Sequence, residues 1–242
     1  MTKKDREEYL NDAQKRIDGY VRKFANSRKN RKPILDGITD VNSYLNSKNS
    51  KLKICWVLKE PYDEYNGKGG GFDLRKSHIK YLKVKDHNFG KTWTPVGYIS
   101  YSLLNGFKSY NELQELDRNT VMKSLLNISF LNVGKMPAKF VTSSPYKVVA
   151  KLYNEWAPIL NYQLITYDPN VIIFGNTLEH FWHDLKLEDK DFHESKNGNY
   201  CLKNNKILLD VYHPAVRGNT ISQEDYCNGI INSVKKVFNN KV

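Results

Sequence analysis

Polar side chains that can do chemistry follow several short apolar runs of this sequence. Glu60 follows KICWVL, Asn132 ends SFLN, and His213 ends LLDVYH. A carboxylate can orient a water or face a developing cation, an amide offers donor and acceptor together, and an imidazole can donate to a developing anion. Taken singly, each residue has a commoner structural explanation as a cap, turn or bracing group. Their shared position after apolar runs makes them a candidate site.

A glycine-rich stretch, NGKGGGFD, separates the first apolar run from the helices that follow it. Its glycines permit close backbone approach to a ligand, and Phe72 directly after them can stack on that ligand or serve as a plain core aromatic. Two phosphate-binding motifs are excluded. Lys85 stands where a P-loop ending in Gly90-Lys91-Thr92 needs glycine, and Phe72 stands where a dinucleotide fingerprint needs its third glycine.

Short buried strands that alternate with helices must position these groups. Continuous apolar runs predict strands at 52–58, 128–133, 170–175 and 207–212, and spacings of three and four predict helices at 3–27, 94–106, 144–168 and 222–238. This alternation predicts an α/β protein, a three-layer α/β/α fold with a short, mainly parallel central sheet and an N-terminal helical segment. Ligands bind beyond the carboxyl ends of such strands.

Length, charge and cysteine content narrow the class of protein. The 242 residues suffice for one domain, 1–242, of which 1–48 form the helical N-terminal segment. The net charge of +12 favours an anionic partner such as nucleic acid, although a surface of solvated lysines would also account for it. Three widely spaced cysteines without a CxxC pair exclude a zinc ribbon and an iron–sulfur cluster. A charged N-terminus and the lack of a long apolar run predict a cytoplasmic protein without membrane contact.

The order of these motifs resembles the uracil-DNA glycosylase superfamily. EPY, the later Phe, SFLN, VIIFG and HPAVRG stand in the order of that family's water-activating motif, stacking Phe, strand-end Asn, apolar strand and His-Pro motif, over 52–219. The resemblance implies catalytic roles for two residues: Glu60 would activate water and His213 would donate to the departing base. It implies base binding by Tyr62, Phe72 and Asn132.

Three cations are assigned to DNA in this interpretation: Lys59, Lys135 and Arg217, the last as a wedge in the gap left by a flipped base. Two other interpretations of Lys135 are an amine that attacks the sugar and a solvated charge. The sequence departs from the family motifs at Leu58-Lys59, which replace Gly-Gln, at Asp63, which replaces His, and at Ala215, which replaces Ser. The departures change the pocket for the base.

The resemblance implies a DNA glycosylase that acts as a monomer on a damaged, deaminated or modified base, with no metal and no cofactor. A nucleic-acid-binding module on the same fold without catalysis is the main alternative, and a hydrolase of free nucleosides or nucleotides is a third. His180 and His183, spaced like some metal pairs, are interpreted as packing or surface residues. The basic stretch 76–91 lines the nucleic-acid groove or forms a solvated face.

Overall fold

The computed structural model describes residues 2–27, 32–47, 51–63, 65–138, 144–194, 198–215 and 221–239. Its strands are β1 (Gly37–Ile38), β2 (Ile54–Leu58), β3 (Ser129–Asn132), β4 (Val171–Gly175), β5 (Phe192–His193), β6 (Gly198–Lys203) and β7 (Lys206–Val211). Its helices are α1 (Lys3–Asn26), α2 (Val41–Leu45), α3 (Leu74–Tyr81), α4 (Gly90–Leu104), α5 (Tyr110–Gln114), α6 (Arg118–Met122), α7 (Tyr146–Tyr167), α8 (Leu178–Phe181) and α9 (Gln223–Asn239). Short 3₁₀ turns lie at Lys123–Asn127 and Asp189–Asp191.

The strands form one seven-stranded sheet in the order β1-β3-β2-β4-β7-β6-β5. The four central strands, β3, β2, β4 and β7, are parallel, and β1, β6 and β5 pair antiparallel at the two edges. The prediction that the four apolar runs share a sheet is confirmed, as is the α/β class. The antiparallel edge strands β1 and β5 were not predicted, since two residues carry too little pattern to be recognised.

Helices cover both faces of the sheet because the central strands are apolar on both sides. Trp56 of β2 joins the core under α4 and α9, whereas its neighbours Cys55 and Val57 join the core under α1 and α7. The Trp56 indole donates to the Ser100 hydroxyl of α4 at 3.1 Å, so its buried N–H is satisfied. The result is the three-layer arrangement that the sequence predicts.

The long helices follow their apolar stripes. Helix α1 begins with a capping box between Thr2 and Asp5, and α7 continues unbroken through Pro158. Helix α9 begins after Ser222, whose hydroxyl accepts from the Asp225 amide at 3.0 Å. No helix in the described ranges has the length and apolar character needed to cross a membrane.

All three cysteines are free and fully buried. Burial raises the pKa of the Cys55 thiol to about 12 and that of Cys201 to about 11. Because only the thiolate is strongly nucleophilic, these side chains behave as small apolar groups at neutral pH.

The N-terminal segment contains a strand as well as helices, so the prediction of a helical segment over 1–48 is corrected. Strand β1 extends the sheet beside β3, with Gly37 opposite Phe130. Gly37 has φ +134°, and a Cβ there would lie 2.6 Å from the Tyr167 hydroxyl, so this close approach requires glycine. The preceding residue, Asp36, is thereby placed inside the protein, 3 % exposed.

The Asp36 carboxylate is the centre of a buried polar network. It accepts from the Lys135 ammonium at 2.8 Å on each oxygen, from the Asn132 amide N–H at 2.7 Å, and from the Gln163 side chain at 3.0 Å. The Lys135 ammonium also donates to Gln163 at 2.9 Å. These bonds join the N-terminal segment to β3 and α7, because a buried charge is tolerated only when it is paired and hydrogen-bonded.

We expect Asp36→Asn to destabilise the protein by about 3–5 kcal/mol, because the buried Lys135 ammonium loses its counter-charge. Urea unfolding followed by circular dichroism measures the change. The double variant Asp36→Asn/Lys135→Met, which also removes the cation, should recover part of the loss. Lys108→Ala, at an exposed ion pair of 3.9 Å, is the control and should cost no more than about 1 kcal/mol. An Asp36→Asn variant as stable as the control would contradict this account.

Candidate active site at the carboxyl edge of the sheet

The register of the parallel strands brings their carboxyl ends to one level. Leu58 of β2 pairs with Asn132 of β3, and Gly175 of β4 pairs with Val211 of β7. Glu60 and His213 each follow their strand by two residues. Glu60, Asn132 and His213 therefore lie along the same edge of the sheet, as the sequence predicts.

Two glycines allow the segments at this edge to approach closely. A Cβ at Gly134 would lie 2.9 Å from Leu152 and 3.3 Å from the Glu60 Cβ. A Cβ at Gly175 would lie 3.1 Å from Leu58 and 3.2 Å from Pro214. A larger residue at either position would push the loops that carry Glu60 and His213 away from the sheet.

Glu60 is buried and only half satisfied. Its Oε1 accepts a hydrogen bond from the Ser144 hydroxyl, whereas its buried Oε2 has no hydrogen-bond partner among the described residues. Burial raises the pKa of Glu60 to about 6, and the nearby Lys59 charge opposes the rise. A carboxylate with one unpaired oxygen and a pKa close to neutrality suits a general base or a group that orients water.

Tyr62 and Lys59 flank this carboxylate. Tyr62 is partly exposed, and its pKa is raised by burial and by the Glu60 charge, with hydrogen bonding to Ser144 opposing the rise. The Lys59 ammonium donates to the Ser144 carbonyl at 3.4 Å. The same ammonium lowers the pKa values of Glu60 and His213, which places it within electrostatic range of both.

The glycine-rich loop is folded by Asp63, the residue at which the sequence departs from the family pattern. Its carboxylate accepts from the backbone N–H groups of Tyr65, Gly67 and Gly69 at 3.0, 2.8 and 2.7 Å. The loop then returns to the N-terminal segment, where the Phe72 carbonyl accepts from the Leu35 amide at 3.0 Å. Asp63 therefore stabilises the conformation of this loop.

Phe72 is brought towards Asn132 by two successive residues of the N-terminal segment. Leu35 bonds the Phe72 backbone, and its neighbour Asp36 bonds the Asn132 backbone. The Phe72 side chain is partly buried. This arrangement is compatible with a stacking role, which remains a prediction.

Asn132 is buried and held by Asp36. Its backbone N–H donates to Asp36 at 2.7 Å, and its side-chain Nδ2 lies 3.4 Å from the same oxygen. The carboxylate thus restrains the orientation of the amide that was predicted to read a base.

Lys135 does not contact solvent, which corrects the prediction of a DNA contact at this residue. Its side chain is fully buried and bonded to Asp36 and Gln163. Burial lowers the pKa of Lys135, and Asp36 opposes the change. An ammonium enclosed in this way cannot reach a phosphate, and its role is to hold Asp36 and, through it, Asn132.

His213 is set up as a neutral hydrogen-bond donor. The Ala215 amide donates to its Nδ1 at 3.2 Å, so Nδ1 is unprotonated and the proton of the neutral ring lies on Nε2. Burial, with a contribution from Lys59, lowers the pKa of His213 to about 4. At neutral pH the ring therefore carries one N–H to offer and no charge.

The remaining predictions have mixed outcomes. Arg217 lies outside the described residues, so its role as a wedge stays a prediction. His183 is fully exposed, and the His180 ring packs between Tyr146 and Tyr153 with centroids 4.9 and 6.4 Å away. Thr177, the residue before α8, donates its hydroxyl to the Val57 carbonyl at 3.0 Å.

The basic stretch 76–91 has both buried and exposed groups. His78 is buried against Trp93 and Phe130, with ring centroids 4.2 and 5.0 Å away, and burial lowers its pKa to about 3. Lys76 and Lys80 are exposed on α3. Whether these lysines meet nucleic acid stays a prediction.

Two residues of the site, Asp36 and Ser144, were not predicted from the sequence. Ser144 lies in a polar stretch before α7, and Asp36 lies in PILDG, which was assigned to a helix. The one available signal was the acidic residue inside an otherwise apolar PILDGI run, since a buried charge requires a partner. Within the described ranges, no group of three or more His, Cys, Asp or Glu side chains is arranged to hold a metal ion.

No protein-family model matches this chain, and no curated protein sequence matches it significantly. The chemistry of the site is therefore the basis of a functional conclusion. A carboxylate with one unpaired oxygen after β2 and a neutral imidazole donor after β7, two strands separated by β4, can stabilise a cation and an anion that develop together.

We expect Glu60→Gln to stabilise the protein at neutral and alkaline pH. The folded-state pKa of about 6 exceeds the ordinary value of 4.5, so ionisation of Glu60 costs stability as the pH rises through this range. Gln removes that cost, so the variant should exceed the parent by up to about 2 kcal/mol above pH 6 and match it below pH 4.5. Urea unfolding at both pH values measures the difference.

Glu112→Gln is the matched control. Glu112 closes the capping box of α5, and hydrogen bonds from Ser109 lower its pKa. Its replacement should lower stability at neutral pH, opposite in sign to Glu60→Gln. Equal stability of Glu60→Gln and the parent at every pH would show that the Glu60 carboxylate is not strained by burial.

Proposed function

We propose that the protein is a DNA glycosylase that hydrolyses the N-glycosidic bond of a damaged, deaminated or modified base. The observation that carries the proposal is that Glu60, buried with an unpaired Oε2, and His213, a neutral donor, both follow parallel strands at one edge of the sheet. Ligands bind at this edge in folds of this kind. The sequence resemblance assigns the same two residues to the reaction.

The proposed reaction separates charge between sugar and base. As the bond from C1′ to the base nitrogen breaks, its electron pair leaves with the base and positive charge develops on the sugar. Glu60 faces that cation and takes a proton from the water whose oxygen bonds to C1′. The Nε2–H of His213 donates to the anionic base, which then accepts the proton from Glu60. One preorganised donor of this kind is worth about 3–4 kcal/mol in the barrier.

The base must leave the duplex stack to reach this edge, at a cost of a few kcal/mol. Stacking on Phe72, worth about 1–3 kcal/mol, would offset part of it. Asn132, restrained by Asp36, would read the edge of the base, and Tyr62 would exclude bulky substituents.

DNA is the proposed partner because the chain carries a net charge of +12 and Lys59 lies directly beside the catalytic carboxylate. Arg217 would occupy the gap in the stack or contact phosphate. The alternative of an inactive binding module is supported by the bond from Ser144 to Glu60 and by the departures at Leu58-Lys59 and Ala215. Base release separates the two proposals.

The first experiment measures base release from a panel of duplexes that each carry one modified base, with binding followed by fluorescence anisotropy. On the duplex that is cleaved, we expect Glu60→Gln to slow single-turnover release by about 10²–10⁴ and His213→Ala by about 10²–10³, with affinity changed less than about threefold. Glu112→Gln is the control for both assays. Binding without release from any duplex would favour the inactive module, and release by Glu60→Gln at the parental rate would remove Glu60 from the mechanism.

The pH dependence of release provides a second test. The rate should rise with pH and level off above a midpoint of about 6, because Glu60 must be ionised. Since the Lys59 charge lowers the pKa of Glu60, Lys59→Met should shift that midpoint upwards, and activity lost at neutral pH should return at higher pH. Lys123→Met, on the 3₁₀ turn before β3, is the control with an unchanged profile. An unshifted midpoint in Lys59→Met would contradict the electrostatic role of Lys59.

A further inference from the structure

A polar cleft opens where α4, α5, α6 and α9 meet. It has a volume of about 320 Å³, and the residues that matter for its chemistry are Lys91, Thr94, Tyr98, Gln114, Arg118 and Gln223. Helix α9 is the next element after β7, and it packs against α4. A helix that follows a parallel strand begins at the carboxyl edge, and Gln223 at the start of α9 lines the cleft, so the cleft lies towards the edge that carries Glu60 and His213.

The charges that line the cleft favour an anion. Two exposed cations, Lys91 and Arg118, line it, and none of its lining residues is acidic. The Arg118 guanidinium lies 3.5 Å from the Thr94 hydroxyl, which directs it along α4. The acidic residues at the start of α9 are engaged elsewhere: Glu224 accepts from Asn111 at 2.9 Å, and Asp225 accepts from Ser222 at 2.9 Å.

The first turn of the 15-residue helix α4 adds to this potential. Gly90 and Lys91 of that turn line the cleft. The Asn88 side chain accepts from the Gly90 N–H at 2.9 Å, and the N-cap residue, Phe89, makes no side-chain hydrogen bond to the helix. The N-terminal end of a helix carries partial positive charge and attracts anions.

Tyr98 is an independent indication of a ligand. Its side chain lies on α4, is 6 % exposed and lines the cleft, with its ring 5.7 Å from that of Tyr110. Among the described residues nothing hydrogen-bonds the Tyr98 hydroxyl, and this hydroxyl is not sealed in the core. A buried tyrosine normally finds a partner for its hydroxyl, so this group is available to donate to a ligand in the cleft.

We propose that this cleft binds a backbone phosphate of the DNA strand that is held at the active edge. The ligand class is a phosphodiester, held by Lys91, Arg118 and the Tyr98 hydroxyl at the start of α4. The proposal rests on the proposed function in that both need DNA at this edge. It goes further by assigning the strand a path over α4 and α9, away from Glu60.

The test measures affinity for an unmodified duplex by anisotropy over a range of salt concentrations. Lys91→Ala/Arg118→Ala should weaken binding by about tenfold or more and lower the salt slope by about one unit, because the contact to one phosphate is lost. Tyr98→Phe should weaken binding by about 2–10-fold without changing the slope, because it removes one uncharged donor. The control, Arg16→Ala/Lys23→Ala, removes the same charge from exposed positions of α1, under the opposite face of the sheet.

Each outcome decides one proposal. Parental affinity and slope in Lys91→Ala/Arg118→Ala would overturn the cleft as a DNA contact, even if the protein releases bases. If binding depends on the cleft but no base is released, the phosphate site is supported and the proposed glycosylase activity is wrong. If about 10 mM inorganic phosphate at matched ionic strength abolishes the difference between parent and double variant, the cleft is a site for free phosphate and the proposed strand path is wrong. Absence of duplex binding by the parent would overturn both proposals.

Discussion

The buried carboxylate of Asp36 makes the interactions on which the arrangement of the carboxyl edge of the sheet depends. A charge taken out of water must be matched, and Asp36 is matched by the Lys135 ammonium and by N–H groups of Asn132 and Gln163. These partners belong to β3, to the loop after it and to α7, so one side chain fixes the relative positions of three parts of the chain. The backbone of Leu35 next to it holds the glycine-rich loop at Phe72. The need to neutralise this buried charge thus helps to fix the positions of Asn132 and Phe72, which are proposed to contact the base.

The sequence alone predicts those strands and helices whose residues follow a local pattern. The four central strands and the long helices were predicted correctly because each has a run of apolar residues with its own period. Partner choice over long distances was not predictable in this way. Lys135 was assigned to DNA because lysines are usually exposed, whereas its partner Asp36 lies 99 residues earlier in the chain. Ser144 was missed for the same reason, since its bond to Glu60 spans 84 residues and leaves no local signature.

Burial shifts the pKa values of the two proposed catalytic groups in opposite directions. It raises the pKa of Glu60 and lowers that of His213, since in both cases the charged form is disfavoured. Lys59 then separates their roles, because its positive charge favours the ionised form of Glu60 and the neutral form of His213. A single lysine, standing where the family pattern has glutamine, is thus suited to keep one group anionic and the other a neutral donor.

The burial of all three thiols has a practical consequence for spectroscopy. Cys55, Cys201 and Cys227 are fully enclosed, and the raised pKa values of Cys55 and Cys201 leave almost no thiolate at neutral pH. Maleimide reagents require an accessible thiolate, so the native chain is a low-background host for one introduced cysteine. A fluorophore attached at an exposed position such as Lys80 would therefore report distances from α3 without replacement of any native cysteine.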